Sequence, residues 1–182
     1  MNRREALSAV TIITGSVVFG ASAFLSGCKT KNQQSLILQK HQLELLDEVV
    51  DTFLPSVAGI SGAKDAKVSE FINTYLSDCC SLKEQEIFLN GLNEIDKISE
   101  KSLGRRFVHL SNGQKHAVLL SIAKDAKKGN ADAQYFYMLR QFTLLGYYSS
   151  EVGATKVLRY QAVPGKWEPC IPYKTGQKSW SL

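Results

Sequence analysis

Histidines and acidic residues are the side chains of this sequence that could bind a metal or transfer protons. His41, His109 and His116 are not arranged at the spacing by which a single helix presents metal ligands, so we interpret them as surface or capping residues. Acidic residues crowd the first predicted helix: Glu44, Asp47, Glu48 and Asp51. We interpret this acidic face as solvated rather than as a catalytic carboxylate pair.

The cysteines and the glycine-containing motifs do not indicate catalysis. Cys79 and Cys80 are adjacent and form no C-x-x-C motif, and a disulfide between neighbouring residues would be strained. The sequence contains no G-x-G-x-x-G, P-loop or G-x-S-x-G motif. We therefore predict a chain with no catalytic residues and no bound cofactor of its own.

Cys28 ends an N-terminal segment that is typical of export. Arg3 and Arg4 precede an apolar stretch over residues 6–27, which indicates a signal of the twin-arginine (Tat) type. Leu25-Ser26-Gly27-Cys28 resembles the lipobox of bacterial lipoproteins, so residues 1–27 are predicted to be a signal peptide and Cys28 the lipidated residue. An uncleaved membrane anchor is the alternative. Either arrangement places the remaining chain, after a polar tether over residues 28–35, on the periplasmic side of the envelope.

Length and charge limit the remaining possibilities. The 182 residues are 44% hydrophobic and 21% charged, which is typical of one globular domain rather than a disordered chain. The formal net charge is +5, but no basic run exceeds two residues. We therefore expect no nucleic-acid partner.

Apolar periodicity predicts an all-α domain of about five helices over residues 36–182. Pro55 ends the first helix, Ser81-Leu82-Lys83-Glu84 is a capping box, and Ser111-Asn112-Gly113-Gln114 is a second one. The predicted helices cover residues 36–54, about 68–76, 82–103, about 112–128 and about 131–146, the fourth being capped by Gly129 and the last by Gly146.

Residues 147–182 are predicted to form an irregular, aromatic C-terminal extension. Pro164-Gly165 fits a type II turn, because glycine accepts the positive φ that the third turn position requires. The aromatic residues of this extension are Tyr147, Tyr148, Tyr160, Trp167, Tyr173 and Trp180. So many rings must pack against the chain's own bundle or against a partner.

Several of these motifs together resemble the gluconate 2-dehydrogenase subunit 3 family. The resemblance covers roughly residues 40–173, with Ser61 standing where the family usually has proline. The matching positions are Leu54-Pro55, Gly62-Ala63, Val68, Phe71-Ile72, Gly91-Leu92, Tyr135-Phe136, Gly146 to Glu151, Tyr160, Val163-Pro164-Gly165 and Cys170.

The resemblance implies an accessory subunit rather than an enzyme. Family members are small, cofactor-free partners of a membrane-associated dehydrogenase whose large subunit carries FAD in a glucose-methanol-choline (GMC) type fold and oxidises sugars, sugar acids or polyols. A cytochrome c often takes the electrons. The small subunit is implied to stabilise the large one and to share its twin-arginine signal with it, which agrees with Arg3 and Arg4. A free-standing helical envelope lipoprotein that binds a ligand or a partner protein is the alternative function.

The C-terminal extension is the predicted contact with the flavin subunit. The predicted partner-binding residues are Tyr147, Tyr148, Tyr160, Pro164, Gly165, Trp167 and Cys170. Cys170 could form an intersubunit disulfide, because the compartment is oxidising. The alternative is that the extension covers its own bundle, with Cys170 buried or paired with Cys79 or Cys80.

Overall fold

The computed structural model describes residues 38–127, 134–163, 165 and 170–181. Arg3, Arg4, Cys28, the tether, Gly129, Pro164 and Trp167 lie outside the described residues, so their predicted roles remain predictions. No helix among those described is both long and apolar enough to cross a membrane.

The described chain is an all-α bundle, as predicted. Its five α-helices are α1 (Lys40–Phe53), α2 (Val68–Cys79), α3 (Leu82–Leu103), α4 (Asn112–Lys127) and α5 (Gln134–Ser149). A 3₁₀ turn, Phe107–His109, precedes α4, and a π turn, Gly153–Val157, follows α5. The same residues contain no strand, only isolated bridges between Val57 and Ile60 and between Arg159 and Trp180.

The predicted starts of α3 and α4 follow local capping chemistry, whereas α1 begins later than predicted, at Lys40, and α2 extends past its predicted end to Cys79. The Ser81 backbone N–H donates to the Glu84 carboxylate at 2.8 Å and the Ser81 hydroxyl accepts from the Glu84 N–H, which completes the predicted capping box of α3. Before α4, the Ser111 N–H donates to the side-chain oxygen of Gln114 at 3.0 Å. Local sequence alone therefore specifies where these two helices begin.

Helix α5 is longer than predicted. It continues past Gly146 to Ser149, and the chain then enters the π turn, so irregular structure begins at Leu158 and not at residue 147. Gly146 does not cap a helix end, because the helix continues past it to Ser149. It instead faces Phe71 of α2, whose Cδ1 atom would lie 2.6 Å from a Cβ at this position. The apolar periodicity of this helix predicts an inward-facing Leu145, but its side chain is instead 44% exposed.

The core lies between the five helices, and α5 packs against all four others. Gly91 lets α3 approach α5 closely, because a Cβ there would lie 2.0 Å from the Tyr135 ring. The ring centroid of Phe142 lies 4.9 Å from that of Tyr75 in α2. Most residues of the predicted apolar stripes are buried in this core, including Leu46, Val49, Ile72, Phe88, Ile95, Leu119, Ile122 and Leu139.

Tyr135 makes the bundle sensitive to alkaline pH. Burial raises the pKa of its phenol to about 12, because the phenolate would lose its hydration. The unfolded chain ionises near the ordinary value of 10.0, so stability is intact below pH 10 and declines as the pH rises toward 12.

We predict that Tyr135→Phe removes this part of the alkaline destabilisation. Urea midpoints measured at pH values from neutral to alkaline should fall less in the variant than in the unmodified chain. Tyr173, which is 79% exposed, provides the matched control, and Tyr173→Phe should leave the pH dependence unchanged. An unaltered alkaline decline in Tyr135→Phe would contradict this assignment.

Candidate partner-binding surface

The C-terminal segment, defined as the described residues from Leu158 to Ser181, is exposed. None of its described residues is buried, and Tyr160, Val163 and Tyr173 are each more than half exposed. Cys170 is exposed, and it, Cys79 and Cys80 are free thiols. Among the described residues, Cys170 is therefore neither buried nor paired with Cys79 or Cys80.

Contacts within the C-terminal segment hold it in a closed loop. The Arg159 N–H donates to the Ser179 carbonyl at 2.8 Å, and the Ser181 N–H donates to the Arg159 carbonyl at 2.9 Å. The Arg159 guanidinium lies 4.0 Å from the centre of the Trp180 ring, a cation–π contact. The exposed rings of Tyr160 and Trp180 therefore lie beside the backbone bridge that joins the two ends of this segment.

The predicted partner-binding residues divide between surface and core. Tyr148 and Tyr160 are 39% and 58% exposed, and Gly165 has the positive φ of 73° that the predicted turn needs. Tyr147 is only 4% exposed, so its side chain does not lie on the surface as predicted. Its position on helix α5, rather than in an irregular extension, explains the difference.

Tyr147 fastens the α1–α2 loop, defined as residues 54–67. Its hydroxyl donates to the Ser61 carbonyl at 2.7 Å. A proline at that position, as is usual in the family that the sequence resembles, would offer the same acceptor. The Ser56 hydroxyl donates to Asp65 at 2.8 Å and accepts from the Gly62 N–H at 2.9 Å, which tightens the loop.

The tip of the α1–α2 loop is a second apolar surface, which the sequence analysis missed. Val57 and Ile60 exchange backbone hydrogen bonds of 3.0 and 2.9 Å across a turn, and their side chains are 57% and 41% exposed. The available signal was the presence of two aliphatic residues between Pro55 and Gly62, in a loop where solvent-facing residues are usually polar.

The acidic face of α1 is structural and only partly solvated. Glu48 forms an ion pair with Lys64 of the α1–α2 loop at 3.0 Å and another with Lys115 of α4, whose side chain is buried. Although burial raises the pKa of the Glu48 carboxyl, the hydrogen bonds from Lys115 and Lys64 lower it below its ordinary value overall. Burial raises the pKa of Asp51. The Glu48 carboxylate thus fixes α1 against α4 and the loop.

No metal-binding cluster of three His, Cys, Asp or Glu side chains occurs among the described residues. His41, His109 and His116 are all exposed, as the sequence predicts. The residues described here thus offer exposed aromatic and aliphatic side chains, on the α1–α2 loop and on the C-terminal segment. Such features are typical of proteins that act by binding another protein.

Comparison with known families shows which family this chain belongs to. The family model described as gluconate 2-dehydrogenase subunit 3 matches residues 40–165, more than two thirds of the chain. The chain belongs to the gluconate 2-dehydrogenase subunit 3 family and is thus a subunit of a dehydrogenase, which confirms the family resemblance. No curated protein and no solved structure matches the chain.

We predict that Tyr147→Phe loosens the α1–α2 loop. Loss of the hydrogen bond to Ser61 should lower the free energy of unfolding by about 1 kcal/mol, because a typical hydrogen bond contributes about that much. Limited proteolysis should cut the loop faster, and chemical denaturation should show the loss of stability. Tyr148→Phe is the control and should change neither. Equal behaviour of the two variants would contradict the proposed role of Tyr147.

Proposed function

We propose that this chain is the non-catalytic small subunit of a periplasmic, membrane-associated dehydrogenase. Its partner would be an FAD-carrying subunit of the GMC type that oxidises sugars, sugar acids or polyols, with a cytochrome c as a further partner that accepts the electrons. The family match carries this proposal, because it makes the chain a dehydrogenase subunit. The sequence motifs also support a non-catalytic role for this chain, since none of them provides a nucleotide-binding loop.

The small subunit would stabilise the flavin subunit by covering part of its surface. The exposed side chains of Tyr148, Tyr160 and Cys170 support a contact surface at the C-terminal end of the chain, together with the turn at Gly165. Pro164 and Trp167 belong to the same proposed surface on sequence grounds alone. Aromatic residues are enriched in the buried centres of protein interfaces, where they bury a large area with few rotatable bonds.

Membrane attachment and export are the other parts of the proposal. Cys28 would carry the lipid anchor, and more than one acyl chain at this residue would give stable attachment where a single chain is marginal. Arg3 and Arg4 would direct the folded, flavin-loaded complex through the twin-arginine route. Both roles are supported by the sequence of the first 28 residues.

Purification of the native complex tests the partner. The chain extracted from its own membrane should bring with it a larger, yellow protein with the absorption spectrum of a flavin, and a haem spectrum if the cytochrome is present. Non-reducing electrophoresis of this complex, with Cys170→Ser as the matched variant, tests an intersubunit disulfide. Recovery of the chain without any flavoprotein would contradict the proposed function and favour a free-standing lipoprotein.

Substitutions in the N-terminal segment test anchoring and export. Cys28→Ser should leave the chain unlipidated, so that it is released to the soluble fraction or retained as the unprocessed precursor. Replacing Arg3 and Arg4 with lysine should leave the dehydrogenase activity in the cytoplasm, because the twin-arginine route would no longer export the complex. Mass spectrometry that finds an unmodified Cys28 following intact residues 1–27 would contradict the anchor. Normal export of the flavin subunit by the lysine variant would contradict the shared signal.

A further inference from the structure

The net charge of the chain is concentrated at its C-terminal end. Residues 28–151 contain 15 basic and 15 acidic residues and are neutral, whereas residues 152–182 contain five basic residues and one acidic residue. The helical bundle therefore balances its charges, and the C-terminal region carries an excess of +4.

Four of these cations lie on backbone segments that the structure brings together, and we call them the cationic cluster: Lys156, Arg159, Lys174 and Lys178. The Lys178 ammonium donates to the Lys156 carbonyl, and the backbone bridge joins Arg159 to the residues beside Lys178. Arg159 and Lys174 line the same cleft, of about 570 Å³, together with Ile171. Each of the four side chains belongs to an exposed residue.

The cationic cluster contrasts with the charges of the bundle. Within the described residues, the ion pairs use lysines and an arginine of the bundle and its loops, and none uses a member of the cluster. Three exposed aromatic residues, Tyr160, Tyr173 and Trp180, lie in the same segment. Within the described residues these cations have no carboxylate partner, so binding of an acidic surface that also accommodates the rings would be favourable.

We propose that the cationic cluster docks on an acidic surface of the catalytic dehydrogenase subunit, which steers the two subunits together. This inference rests on the proposed function, which supplies the partner, and it adds the chemistry of the partner's surface. Long-range attraction between complementary charges raises association rates and fixes orientation, and salt screens it. Assembly of the complex should accordingly weaken as ionic strength rises.

Two observations favour a protein partner over an anionic bilayer. The cluster borders a concave cleft, which suits a protruding acidic side chain better than a flat lipid surface. One face of the Trp180 ring is covered by the Arg159 guanidinium, which keeps that face from inserting into lipid. In addition, Lys156 and Arg159 lie within residues 40–165, the part of the chain that matches the dehydrogenase-subunit family.

Charge-neutralising variants of the intact complex test the proposal. Lys156→Gln combined with Lys174→Gln removes two charges from the cluster and leaves the Arg159–Trp180 contact in place. The matched control, Lys83→Gln with Lys101→Gln, removes the same charge from exposed residues of α3. Dissociation of each purified complex on dilution would be followed by mass photometry at low and at high salt.

The cluster variant should dissociate at about fivefold to tenfold higher concentration than the unmodified complex at low salt, as expected for two surface ion pairs. The difference should shrink at high salt, and the α3 control should stay within about twofold of the unmodified complex. Thermal unfolding should be the same for all three forms, because the substituted side chains are exposed.

Other outcomes would overturn the inference. The cluster does not dock on the partner if dissociation of the complex is independent of salt concentration. The same follows if the cluster variant and the α3 control weaken the complex equally. If instead the cluster variant loses binding to phosphatidylglycerol vesicles while its complex is unchanged, the cluster binds lipid. In each of these cases the flavoprotein still accompanies the chain. If the proposed function itself fails, no flavoprotein accompanies the chain.

Discussion

The close packing of α5 against the other four helices is the constraint on which the rest of this structure depends. It requires small residues at the crossing points, because Gly91 lies under the Tyr135 ring and Gly146 lies under Phe71. The same packing buries Tyr147 at the end of α5, where its hydroxyl holds the α1–α2 loop at Ser61. Helix α5 thus positions both exposed surfaces, the apolar loop tip and the C-terminal segment that follows it.

Within the described residues, ion pairs join charges of the bundle and its loops, whereas the cations of the C-terminal segment take part in none of them. Glu48 pairs with the buried Lys115 and with Lys64, and Asp96 pairs with Arg106, so charges that must approach the core are compensated. The cationic cluster lies outside this arrangement, on an exposed loop.

The fold could be predicted from the sequence to a large extent, because helical periodicity and capping are local. The apolar stripes and the capping box at Ser81 required only nearby residues, and the structure confirms them. The errors concern residues whose role depends on a distant neighbour. A glycine near the end of a helical pattern, such as Gly146, is typical both of a helix cap and of a close helix crossing. The contact with Phe71 of the neighbouring helix shows that Gly146 belongs to a close crossing.

By itself, the sequence determined the all-α class, the family resemblance and the lack of nucleotide-binding motifs, because each follows from residue types at short spacing. Tertiary structure alone decided which aromatic residues are available to a partner, since burial of Tyr147 and exposure of Tyr160 depend on packing across the whole domain. Tertiary structure also decided which basic residues lie on neighbouring segments. No basic run marks the cationic cluster in the sequence, and its members meet only because residues 159 and 180 pair across a closed loop.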